Sequence, residues 1–167
     1  MTTIETIKAA LELCYNWTHR LAADCKDIAL TFPTPNGGNH PMWVVGHAAH
    51  ASAGLLSLID GRPNPYAEWD AIFQGGTQPV ADPTKYPPYE EVLAAYEASH
   101  RALIEYVDSI DESKLDDPPA VVMEAFADNP DFKTIGRLLL FIAMHDMSHR
   151  GQLADARRAA GRGPLDF

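Results

Sequence analysis

The chain is poor in cysteine: Cys14 and Cys25 are the only two in 167 residues. That scarcity excludes a disulfide-stapled scaffold. Placed on one helix, the two would lie ~16 Å apart at ~1.5 Å per residue, whereas a disulfide needs α-carbons within roughly 7 Å. They are expected as free thiols, which suits a reducing cytoplasm. Positive charge is also scarce, with 13 basic against 23 acidic residues and a net charge of -10. An acidic surface repels phosphate backbones and anionic headgroups, so neither nucleic acid nor a membrane surface is an expected partner. No apolar run is expected to reach the ~20 residues of a membrane span. The opening MTTIETIKAALELC lacks a basic region followed by an apolar run, so a signal peptide is not expected. HExxH, a phosphate-cradling glycine loop, a G-x-S-x-G elbow, hairpin-flanked strand alternation and internal repeats are all missing.

What remains is ordinary globular material, 46% hydrophobic and 22% charged. It suits a single domain spanning residues 1–167 with one sizeable core. Four segments repeat their apolar residues at helical spacing. The first carries Ile4, Ile7, Leu11, Cys14, Tyr15, Thr18, Ala22 and Cys25, is capped by Thr2 or Thr3, and is expected to end near TFPTPNGG. The second has Asn39 as its expected N-cap and Pro41 in its first turn. Its stripe is Val44, His47, Ala51, Leu55 and Leu58, and Gly61 closes it. Residues 62–87 hold too much proline and glycine for a long helix, although YAEWDAIF suits a short turn of one. Loops of this length often cover a site or an interface. The third helix starts near Pro88 and repeats Tyr89, Val92, Tyr96, Ser99, Leu103, Val107 and Ile110. The fourth runs from about Asp131 to Ala160 with Ile135, Leu138, Leu139, Ile142, Leu153 and Ala156 on one side. The expected fold is all-α, a four-helix bundle with a long loop between helices two and three.

Histidines fall inside these stripes. With ~100° per residue and His145 at zero, Leu138 lies near ~20°, His149 near ~40° and Ile142 near ~60°. Imidazoles in an apolar stripe are costly unless their nitrogens find partners. A pair at i and i+4 can ligate one ion. On the second helix His47 lies at the edge of the stripe, and His50 is further round. Three histidines on one ion leave a coordination position open, as catalytic sites do. His100 and His19 read as core or core-edge histidines, and His40 as a solvated residue of the capping segment. Asp146 and Gln152 flank the fourth-helix pair and could hydrogen-bond a ligand imidazole from outside. Trp43 and Trp69 read as core.

The segments PMWVVGHAAH, NPYAEWDAIFQGG, YPPYEEVLAAYE and HDMSHRGQL together resemble the DinB-like (DinB/YfiT) superfamily of metalloenzymes, from about residue 39 to residue 160. The resemblance implies a bundle in up-down-down-up order and a divalent metal, zinc or nickel foremost, on His47, His145 and His149. It leaves the reaction open. Thiol-dependent S-transfer with a low-molecular-weight thiol is the preferred expectation. A metal-dependent hydrolase and a non-catalytic, metal-stabilised binding or stress protein are the alternatives. A cytoplasmic homodimer is compatible with all three.

Overall fold

A computed structural model describes residues 1–32, 37–163 and 165. It is all-helical: among the described residues there are five α-helices and no strand. They are α1 (Thr3–Asp24), α2 (Pro41–Asp60), α3 (Asp70–Phe73), α4 (Tyr89–Ser109) and α5 (Ile135–Ala159), joined by short 3-10 turns. Each long helix starts where the sequence offers a cap. Thr2 and Glu5 form a reciprocal capping box on α1, and Thr134 accepts the Arg137 N–H at the start of α5. On α2 the cap is His40 rather than the expected Asn39. Its Nδ1 accepts the Trp43 N–H at 3.1 Å, and its Nε2–H donates to the Val80 carbonyl at 3.0 Å. His40 is therefore buried, not solvated as expected, because both ring nitrogens are paired inside the protein. Gly61 ends α2 with a φ of 78°, the left-handed turn that glycine adopts without Cβ strain.

α1 stops at Asp24, earlier than expected, with Cys25 as its C-cap. Of the TFPTPNGG stretch expected to end it, residues 33–36 lie outside the described residues. Both cysteines are buried and free, and burial pushes the Cys25 thiol up to about 12. α5 begins at Ile135, not near Asp131, which sits in a 3-10 turn from Pro130 to Phe132.

The long helices form a ring: α1 packs on α4 and α5, and α2 packs on the same two. At one end the starts of α2 and α4 meet the end of α1 and Leu153 of α5. At the other, the start of α1 and the start of α5 meet the ends of α2 and α4. The stripes of α1, α4 and α5 are buried as periodicity predicts, except that Ile4, Tyr15 and Ile110 are half-buried and Ile110 lies just past the end of α4. α2 departs from its expected stripe. Residues 41–50 are buried on every side, and further on Ala53, Leu56 and Ile59 are buried rather than Ala51, Leu55 and Leu58. Its composition would let it cross a membrane by length and hydropathy, contrary to expectation, but 72% of that window is buried inside the protein.

Between the two ends lies a polar layer. The Tyr96 hydroxyl donates to Asp146 at 2.7 Å, and Ser99 donates to the Ala49 and Ala95 carbonyls. His100 stacks on Tyr15 with 3.8 Å between ring centroids. Burial raises the Asp146 carboxyl to about 7, while the bond from Tyr96 pulls the other way.

Candidate metal centre

The helices bring His47, His145 and His149 together across 98 residues of chain. One ligand-competent atom from each lies within 4.8 Å of the others. α5 supplies two because its i and i+4 positions share a face, and α2 lies against that face. The ring centroids are 5.0, 4.8 and 4.7 Å apart pairwise. His47 Nε2 and His145 Nε2 approach to 3.2 Å.

His47 is fixed from two directions. Its Nδ1–H donates to the Phe73 carbonyl at 2.7 Å, so its Nε2 carries a bare lone pair turned to His145. Its flat face stacks on Trp43, with centroids 4.5 Å apart and an 11° tilt. The Trp43 indole is itself held by Thr77 Oγ1 at 2.9 Å. Phe73 reaches this position only because residue 46 is glycine: a Cβ there would lie 2.2 Å from the Phe73 ring. The short helix α3 thus acts as a clamp on α2. Asp70 tightens it by accepting from His50 Nε2 at 2.6 Å.

Burial sets the electrostatics. It lowers His47 to about 4, against the pull of the Phe73 carbonyl, with His149 and His50 adding repulsion. It lowers His145 to about 4 as well, helped by the other two imidazoles. His149 is lowered by burial. Near neutral pH all three are uncharged, the state in which imidazole ligates.

The residues fit a metal. Three nitrogens on one ion with ~2.0–2.1 Å bonds sit about 3.3 Å apart in a tetrahedron, close to the Nε2–Nε2 spacing observed. The widest spacing needs about 1.5 Å of closing to match. His149 Nδ1 and Gln152 Oε1 are both buried without a hydrogen-bond partner, which marks the α5 side as incompletely satisfied by protein alone. An all-imidazole set suits zinc, nickel, copper or iron.

A profile of the DinB superfamily matches residues 10–153, most of the chain and all three histidines. The chain belongs to the DinB superfamily. No curated protein matches it.

In this DinB-superfamily chain the other histidines lie elsewhere. His50 is held by Asp70, His19 pairs with Glu97 at 2.7 Å, His100 stacks on Tyr15, and His40 caps α2. Asp146, a candidate outer partner, turns to Tyr96 on α4 instead. Gln152 remains the candidate on α5. Sequence reasoning missed the α3 clamp. Trp43 was visible, one turn before His47 on the same face. The Phe73 contribution was not, because a backbone carbonyl leaves no mark in a residue name.

Proposed function

We propose that the chain is a metal-dependent enzyme in which His47, His145 and His149 hold one divalent transition ion, zinc or nickel before others. The observation that carries this reading is the convergence of three uncharged, partly buried imidazoles from two helices. An ion held so lowers the pKa of a coordinated water or thiol and supplies a nucleophile near neutral pH. The protein's part is to orient and exclude. Phe73 fixes the His47 tautomer, Trp43 fixes its plane, and α2 against α5 keeps bulk water off the protein side of the site. We read the helix ring, with like ends of α1 and α5 together and like ends of α2 and α4 together, as a four-helix bundle in up-down-down-up order.

Thiol-dependent S-transfer to a small electrophile is the preferred reaction class, and it rests on the family resemblance. Elemental analysis of untagged protein tests the site, with about one transition ion per chain expected. A stable, metal-free protein that takes up no added ion overturns it. A screen of the loaded protein with low-molecular-weight thiols and electrophiles tests the reaction. Turnover of esters or amides without thiol would instead make it a hydrolase. Silence in both, with a melting temperature that rises on loading, would make the ion structural.

A further inference from the structure

A cavity of about 390 Å³ lies between α2 and α4, beneath the segment that follows Gly61. Ligand pockets start at ~300 Å³, and a water molecule occupies ~30 Å³. The space exists because Ala53 and Ser57 on α2 face Ala98 and Ala102 on α4, where leucines would fill it. Pro63, Pro65 and Tyr66 roof it. The prolines fix their own φ angles. The roof is also tied down: Asn64 accepts the Tyr66 N–H at 3.0 Å and donates to the His50 carbonyl at 3.4 Å. At the rim Asp60 accepts from the Arg62 backbone at 2.9 Å and from its Nε at 2.8 Å. The cavity's walls are therefore held in place by the protein's own contacts.

The three hydroxyls that line it share one property. Ser57 Oγ donates to the Ala53 carbonyl at 2.9 Å. Ser99 Oγ donates to the Ala95 carbonyl at 2.9 Å and the Ala49 carbonyl at 3.0 Å. The Tyr66 hydroxyl donates to the Ala95 carbonyl at 3.4 Å. A hydroxyl has a single hydrogen, so each of the three keeps only lone pairs for a visitor. An occupant whose polar atom cannot donate leaves a mismatched pair in an apolar space, and sites of this kind discriminate strongly against it. At the rim the Asp60 and Arg62 charges neutralise each other, so nothing there favours a charged ligand.

We propose that this cavity binds a small uncharged molecule with an apolar body and one hydrogen-bond donor, of the phenol or indole kind. The site is separate from the three histidines. Ala53 lies six residues beyond His47, ~9 Å along α2 and ~120° around it, on the side facing α4 rather than α5.

The test titrates the full chain with 4-ethylphenol and with its methyl ether, 4-ethylanisole, by calorimetry and by amide shifts in NMR. The phenol should bind, shift Ala53, Ala98 and Tyr66, and exceed the ether at least tenfold. Ala102→Leu should abolish binding while metal uptake persists. Should that variant not fold, Ala98→Val should weaken binding in the same sense. Ser99→Ala should bring the phenol-to-ether ratio toward one. Equal binding of the ether, binding that survives filling of the cavity, or no binding of the phenol at millimolar concentration would each overturn the proposal.

Discussion

Around the starts of α2 and α4 the core holds Trp43, Trp69, Phe73, Tyr89 and Tyr96. Around the starts of α1 and α5 it holds isoleucine, leucine and valine with Cys14 and Ala143. The aliphatic end has only volume to satisfy, so any close packing of similar size serves it. The aromatic end must also satisfy buried nitrogens and hydroxyls, and each of those accepts few geometries. The three histidines sit against the aromatic end, where Trp43 and Phe73 hold His47. Stability and site geometry are thus assigned largely to different ends of one molecule.

The sharpest test of that division removes a ligand. His145→Ala should lose the metal, with affinity falling by more than the ~10–100-fold that an outer partner costs. His100→Ala should keep it, and competition against a chromophoric chelator measures both. Retention in the first variant, or loss in the second, breaks the assignment. At the aliphatic end Leu138→Ala should cost ~2–5 kcal/mol in urea unfolding, since Leu138 is fully buried. Its metal stoichiometry at low urea should not change.

A smaller effect should cross the boundary. Gly46→Ala drives a methyl into the Phe73 ring, and overpacking of this kind costs ~1–3 kcal/mol. Because Phe73 carries the carbonyl that orients His47, the same variant should lower metal affinity ~10–100-fold. A loss of stability with affinity intact would show that the clamp is only packing.

The smallest effect belongs to the polar layer. Burial lowers His100 to about 4, with His19 adding repulsion. Below ~6.5 the unfolded chain takes up a proton that the folded chain refuses, so this stabilising share is full above ~6.5 and fades as pH falls toward 4. His100→Gln should shrink the drop in urea midpoint between pH 7 and pH 4.5. A variant with an unchanged drop would remove His100 from the acid response.

The division was partly legible beforehand. The stripes of α1, α4 and α5 are one-sided, and a period of 3.6 reports a one-sided burial. The first half of α2 is buried all round, so no stripe existed there to be read. The pair on α5 was legible because two imidazoles in an apolar stripe demand a partner. His40 as a cap was not, because histidine is not among the residues that usually cap helices. Nor was the second half of the His47 environment, since Phe73 acts through its main chain.

The 98-position separation of His47 and His145 carries a consequence for the birth of the protein. Synthesis at ~5–20 residues per second separates the emergence of the two imidazoles by roughly 5–20 s. Through that interval the first histidine is present without its companions. A nascent chain on the ribosome therefore offers stray ions no three-histidine trap, and the centre comes into being only as the last helix closes against the second.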